Sequence, residues 1–255
     1  MDWRTRLNYL QLLWRHAATP LPLMLDCLRL MPKPYDVQLK NGLRFRLEGG
    51  RGEWHSLMEC AIRLDYLQHG IKLAEGGVVV DIGANIGSFA IVAAQRVGKT
   101  GRVYAYEPNP SAFERLKANV ALNGLTNVVA INEAVGKEDG VLQFHISRNS
   151  AFGSLYAQVD DHAHGEGETV QANVRSITTV LREAGPRIDL LKMDCEGSEY
   201  DILESVSPQE FAAVRQLSME VHSIEDKSPA EIPAALKRLG LEPKVTFPLT
   251  AFRMA

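Results

Sequence analysis

The rhythm of apolar and polar positions changes along the chain. Within residues 1–30, Leu7, Leu10, Leu13 and Trp14 recur at the three-to-four spacing of an amphipathic helix. Two alternating runs between Tyr35 and Leu47 meet at Asn41-Gly42, a pair that tolerates positive φ, which predicts a β-hairpin. A helix is expected from Glu53 to about His69, with Leu57, Ala61, Leu64 and Tyr66-Leu67 as its apolar stripe. From Gly77 the pattern differs. Val78–Ile82 is a short unbroken apolar strand, as expected where both faces of a parallel sheet are covered. A glycine turn, a helix over Ser88–Val97 and a strand over Arg102–Tyr106 follow. Asn109-Pro110 opens a helix, with a capping side chain and a proline where its missing N–H costs nothing. Phe113, Leu116 and Val120 form its core stripe, Gly124 ends it, and Asn127–Ile131 is the next strand.

Past Asn132 the pattern is less regular, with strands expected at Val141–Ile146 and Thr169–Val174 and a helix at Thr178–Ala184. Alternation then resumes: strand Ile188–Met193, helix Glu199–Ser205, strand Leu217–Val221 and helix Pro229–Leu239. Pro243–Pro248 and Thr250–Met254 are expected as an antiparallel pair at the edge. Strand and helix alternating in this way indicate an α/β protein with a doubly wound, mostly parallel sheet. It carries an N-terminal helix and β-hairpin extension over residues 1–75, ahead of the main domain at 76–255.

Composition adds exclusions. The 255 residues carry a net charge of -3, which argues against holding nucleic acid by a bulk positive field. Cys27, Cys60 and Cys195 form no C-x-x-C pair, so neither a zinc site nor a disulfide framework is indicated, and a reducing, cytoplasmic setting is expected. No run reaches the roughly 18 apolar residues of a membrane span. Residues 1–30 hold four arginines and two aspartates among their leucines. The expectation is a helix packed on the domain or on a second copy, as in a homodimer, rather than one lying on a membrane. Asp160–Glu168 is acidic and contains His162 and His164, but it meets no ligand-spacing rule and is expected to be a surface loop without metal.

Candidate chemistry begins at Asp81-Ile82-Gly83-Ala84-Asn85-Ile86-Gly87-Ser88, a strand running through a glycine turn into a helix. Such a turn brings backbone N–H groups to a ligand, with Gly83 and Gly87 allowing close approach. The spacing departs from G-x-G-x-x-G, with Asn85 and Ser88 where the second and third glycines would stand. Glu107, ending the second parallel strand, is placed to accept hydrogen bonds from both ribose hydroxyls. Glu133-Ala134-Val135, at the third strand end, lies where an adenine would rest. With these motifs the chain resembles a class I S-adenosylmethionine-dependent methyltransferase, and within that class the FkbM family. The likeness runs over roughly residues 75–222 through D-x-G-A-N-x-G at Asp81–Gly87, Glu107-Pro108 and Ala134-Val135-Gly136. It implies a Rossmann-like fold and S-adenosylmethionine as cofactor. It also implies that Asp81 organises the methionine end and Glu107 binds the ribose. Gly83, Ala84, Asn85, Gly87, Ser88, Pro108, Glu133 and Ala134 complete the expected cofactor set.

A second block, Lys192-Met193-Asp194-Cys195-Glu196-Gly197-Ser198-Glu199, follows the fourth parallel strand beside the switch point where open α/β sheets bind ligands. Strand alternation puts Lys192, Asp194 and Glu196 on one face, and Glu220 and His222 share a face at the next strand end. Both blocks match the FkbM pattern, the first as K-x-D-x-E-G-x-E. Lys192, Asp194, Glu196, Glu220 and His222 are the candidate catalytic residues. An alcohol is a poor nucleophile at neutral pH and needs a base or a cation, so either Asp194 or His222 is expected to take its proton. Mg²⁺ on Asp194, Glu220 and His222 is the less favoured alternative, because His222 is a poor ligand for it.

Glu199 either joins the acceptor site or complements the dipole of the helix it opens. Asn149 and Ser154, in a polar loop, are further candidates for binding the acceptor. His16, His55, His69 and His145 have no evident partner and read as structural or exposed. The resemblance implies O-methylation of a sugar or another small-molecule or natural-product acceptor. An NAD(P)-dependent oxidoreductase is the competing enzyme, disfavoured by the glycine spacing, and a non-catalytic cofactor-binding scaffold is the competing non-enzyme.

Overall fold

The computed structural model describes residues 3–146, 153–154, 168–224, 227–244 and 249–253. The main sheet contains β3 (Val78–Ile82), β4 (Arg102–Tyr106), β5 (Val128–Ile131), β10 (Leu190–Met193), β11 (Gln216–Met219), β12 (Leu241–Lys244) and β13 (Leu249–Arg253). Their spatial order is β12-β13-β11-β10-β3-β4-β5. From β5 to β11 the strands are parallel, and β13 is antiparallel to both of its neighbours. This is the doubly wound α/β sheet read from the sequence. The last two strands form the expected antiparallel pair at one edge, with β13 lying between β11 and β12. Pro243 is tolerated in β12 because an edge strand has no further ladder to supply.

Helices α4 (Ser88–Val97), α5 (Pro110–Leu122), α6 (Ile177–Ala184), α7 (Glu199–Ser205) and α8 (Ile232–Arg238) connect and cover these strands. The expected cap of α5 is present: Asn109 Oδ1 accepts from the amides of Ser111 at 3.0 Å and Ala112 at 3.3 Å. A smaller sheet of order β6-β9-β7-β8 is built from β6 (Ala134–Gly136), β7 (Gly140–Ile146), β8 (Gly153–Ser154) and β9 (Glu168–Ser176).

The first 75 residues contain α1 (Trp3–His16), α2 (Pro20–Cys27), the predicted hairpin β1 (Tyr35–Gln38) with β2 (Arg44–Leu47), and α3 (Glu53–Leu57). Leu13, Leu23, Phe45, Leu47 and Leu57 share one apolar core with Ile86, Ile91 and Val92 of the sheet's first turn and helix. The open edge of β2 is closed by side-chain amides of α5. Asn119 accepts from Arg46 N at 2.7 Å and donates to Arg46 O at 3.2 Å. Asn123 does the same for Arg44, at 3.0 and 2.7 Å. Two asparagines one helical turn apart thus stand in for a neighbouring strand.

The single helix expected over Glu53–His69 is not formed. After α3 the backbone widens into a π-helical segment over Met58–Arg63, reverses at Leu64 with φ of 59°, and closes with a 3-10 turn at Asp65–Leu67. The wider turn shifts the face presented by each later residue, and Tyr66 leaves the stripe for the interior of the site. No helix among the described residues is long and apolar enough to cross a membrane.

Candidate active site

A cleft opens at the carboxyl ends of β3 and β10, where the order of strands reverses. Its first wall is the turn after β3. Gly83 and Asn85 adopt positive φ, at 76° and 51°. The amides of Gly83 and Ala84 both donate to Tyr106 O, at 3.1 and 2.9 Å. The Asn85 amide donates to Glu107 Oε2 at 2.7 Å, and that of Ile86 to Asn85 Oδ1 at 2.7 Å. These amides are therefore spent within the chain, contrary to the expectation that they face a ligand. The glycines serve packing instead. A Cβ on Gly83 would stand 1.8 Å from Asp194 O, and one on Gly87 2.5 Å from Leu116 Cδ1. Ser88 is fully buried, its hydroxyl 3.3 Å from that of Ser56, and it does not line the cleft.

Glu107 lines the cleft beside Pro108, with Oε1 accepting from the Asn109 amide at 2.8 Å. Burial pushes its carboxyl up to about 7, against the pull of the two amides. Each oxygen retains a lone pair for a further donor, which fits a vicinal diol. Ala134 and Val135 form an apolar floor nearby. Glu133 also lines the cleft, but its carboxylate is held by Arg175 at 2.5 and 3.1 Å.

Asp81 and Lys192 are side-by-side partners on adjacent strands and both are buried. The ammonium lies 3.2 Å from Asp81 and 3.7 Å from Asp194, and donates to Gly83 O at 2.8 Å. Burial opposes the lysine charge, but the two aspartates outweigh it and hold the ammonium well above its usual range. Lys192 therefore clamps the two turns as a fixed cation. Asp81 sits behind the wall rather than in it, and among the described residues its oxygens lack a directed hydrogen bond.

The opposite wall is carboxylate-rich. Asp194, Glu196, Glu220 and His222 all line it, as their motifs predicted. Strand alternation is not what gathers them, because β10 ends at Met193 and β11 at Met219. The chain instead turns at Glu196 and Gly197, with φ of 53° and 106°. His222 Nδ1 lies 3.0 Å from Glu199 Oε1, and Nε2 lies 3.4 Å from Glu196 and 4.0 Å from Asp194. Burial disfavours its charge, yet these carboxylates raise it to about 10 and so favour the imidazolium. An imidazolium has no lone pair to accept a proton, which counts against His222 as the base. Glu199 is fully buried, accepting from the amides of Cys195 at 3.1 Å and Gly197 at 2.9 Å. It orients His222 and shapes the turn, and does not reach the cleft as an acceptor-binding residue would. Burial also raises Glu196 to about 8 and Glu220 to about 7, His222 partly offsetting both.

Sequence reasoning missed Tyr66. It is buried, and its hydroxyl lies 2.8 Å from Asp194 Oδ2 and 3.1 Å from Glu220 Oε2. Its ring lies 5.1 Å from the Lys192 ammonium. The available signal was that a buried tyrosine needs a partner for its hydroxyl, whereas a leucine in a helix stripe does not. Also missed were His55, Ser56, Glu59 and Cys60, which bring the N-terminal region into the cleft wall. His55 has a partner after all, Glu59 at 3.4 Å. Asn149 lies outside the described residues. Ser154 falls in β8, where only the backbone pairing with His145 is described.

Asp194, Glu220 and His222 offer ligand atoms within 4.8 Å of one another, a spacing that could hold a cation. Tyr66 donates within this group, and imidazole suits Mg²⁺ poorly.

Residues 81–242 match the family described as Methyltransferase FkbM domain. The 31-O-demethyl-FK506 methyltransferase FkbM of Streptomyces tacrolimicus is 31% identical over 205 residues, covering 69% of this chain and 76% of that protein. The hexuronic acid methyltransferase AglP of Haloferax volcanii is 24% identical over 172 residues, covering 68% and 66%. A crystal structure of methyltransferase FkbM from Methylobacillus flagellatus KT superposes with a TM-score of 0.50 at 15% identity, over 97% of this chain and 59% of that one, a likeness of fold. The family match sets aside the oxidoreductase reading. This chain belongs to the FkbM family of S-adenosylmethionine-dependent methyltransferases.

Proposed function

We propose that the chain methylates a hydroxyl oxygen of a sugar or another small natural-product-like acceptor. The observation that carries this reading is the Tyr66 hydroxyl converging on Asp194 and Glu220, a fixed carboxylate pair facing the cleft. S-adenosylmethionine supplies a methyl group on a sulfonium, a leaving group that needs no protonation. What the protein must add is alignment and a destination for the acceptor's proton.

Glu107 holds the ribose diol, beside the adenine surface of Ala134, Val135 and Pro108. Asp81 acts from behind the wall by fixing Lys192, which lines the cleft. The Asp194–Glu220 pair takes the hydroxyl proton as the oxygen–methyl bond forms. The raised proton affinity of Glu220 suits a base working near neutral pH. Tyr66 stays a phenol, raised well above its usual range by burial and by the two carboxylates, and keeps both oriented. His222 contributes fixed positive charge beside them.

The class of acceptor is supported by the relatives, one named for 31-O-demethyl-FK506 and one for hexuronic acid. The test uses methyl-labelled S-adenosylmethionine with a panel of hydroxylated sugars and small natural products, and products are located by mass spectrometry. Methyl ethers formed equally with and without EDTA are expected. Transfer to nitrogen or carbon would overturn the O-methyl reading, and loss of transfer in EDTA would favour a cation on Asp194, Glu220 and His222.

A further inference from the structure

Six of the eight large apolar side chains standing exposed among the described residues lie between Trp3 and Leu30. Trp3, Trp14, Leu21 and Leu30 each exceed 60% exposure, at 66%, 65%, 64% and 64%. At about 100° per helical residue, Trp3, Leu7 and Trp14 fall within roughly 40° of one another, forming one stripe on α1. A different face, centred on Leu13, packs into the core. The helix is therefore apolar on two sides, and only one of them is used by the fold.

Charge identifies the complement of the other. Between residues 3 and 33 the chain carries Arg4, Arg6, Arg15, Arg29 and Lys33, and a single acid, Asp26. That acid is buried, accepting from Tyr35 Oη at 2.8 Å and the Gly50 amide at 2.7 Å. Arg6, Arg15, Arg29 and Lys33 are exposed, and Arg4 lies 5.4 Å over the Trp3 ring. This cationic segment belongs to a chain whose net charge is -3.

We infer that the α1–α2 face docks on an anionic lipid surface, lying on it rather than crossing it. Exposed tryptophan and leucine flanked by arginine is the composition that enters the headgroup region, where the rings and leucines leave water and the cations meet phosphates. A second copy of the chain suits this face poorly, because a two-fold interface would oppose each cationic patch to its own image. A nucleic acid would satisfy the arginines and leave the leucines in water. The same helix reaches the cleft: Tyr9 packs edge-on against His55 at 6.0 Å, and His55 lines the site. Docking would therefore hold the cleft close to the lipid surface.

The test is sedimentation of the full chain with vesicles of phosphatidylcholine alone or mixed with phosphatidylglycerol, read together with tryptophan emission. Trp54 is largely buried, so the emission reports chiefly on Trp3 and Trp14. Co-sedimentation with the mixed vesicles, a blue shift and weakening by salt are expected. A Trp3→Ser/Trp14→Ser variant and an Arg6→Glu/Arg15→Glu variant should each bind at least about tenfold more weakly. S-adenosylhomocysteine affinity serves as the check that both variants fold. Unshifted emission without sedimentation, or equal binding to both vesicle types, would overturn the inference. So would a dimer in light scattering that the tryptophan variant abolishes, or RNA displacing the vesicles.

Discussion

The two walls of the cleft are built by different means. The Glu107 wall comes from one stretch of chain, residues 81–109, and its carboxylate is already bonded to two nearby amides. The Asp194 wall is assembled from three distant segments, around Tyr66, Asp194–Glu199 and Glu220–His222, whose carboxylates outnumber their cations. The first wall is complete in itself and suited to recognition. In the second, Glu220 is raised as Glu107 is, but its partner is a Tyr66 hydroxyl shared with Asp194 rather than two backbone amides, which suits this wall to moving a proton.

The contrast can be broken most sharply at Asp194. Asp194→Asn should lower kcat by about 10²–10⁴-fold while leaving affinity for S-adenosylhomocysteine near wild type. Glu107→Ala should do the reverse, weakening cofactor binding roughly 10- to 100-fold as the ribose loses a charged acceptor and two amides lose their partner. Tyr66→Phe keeps the ring and removes the hydroxyl. It should cost about tenfold in kcat. Its distinguishing effect is on pH. Activity should rise as Glu220 deprotonates, near 7. Tyr66 lowers the Glu220 pKa by donating to it, so in the variant the rising limb moves to higher pH.

The smallest expected effect concerns the stability of the cofactor-free protein. Glu107, Glu196 and Glu220 all have folded-state values raised above 4.5, chiefly by burial, to about 7, 8 and 7. A raised carboxylate contributes stability that is present below its unfolded value and is lost as pH rises through the folded one. The melting temperature of the cofactor-free protein should therefore fall as pH rises from about 5 to about 8. His222, raised from 6.5 to about 10, adds a further loss that begins near pH 6.5 and continues to about 10.

How far the sequence revealed these walls follows from how they are made. The Glu107 wall was readable because strand, turn and acid are contiguous, although the use of its amides was misread. No local pattern shows that Tyr106 O and Glu107 absorb them, or that Gly83 makes room for the carbonyl of Asp194. The acids of the second wall were picked out by motif and do line the cleft, but the positive-φ turn at Glu196 gathers them rather than strand alternation. Tyr66 stayed hidden because a π-helical segment and a left-handed Leu64 leave no trace in apolar periodicity. The insertion of β13 between β11 and β12 was equally invisible, since an antiparallel pair reads alike in either order.

Calorimetric titration of wild type, Glu107→Ala and Asp194→Asn with S-adenosylhomocysteine tests this division of labour most directly. Wild type and Asp194→Asn should bind alike, with Glu107→Ala weaker by at least about tenfold. If Asp194→Asn lost as much affinity as Glu107→Ala, or wild type failed to bind, the assignment of recognition to one wall and proton transfer to the other would be contradicted.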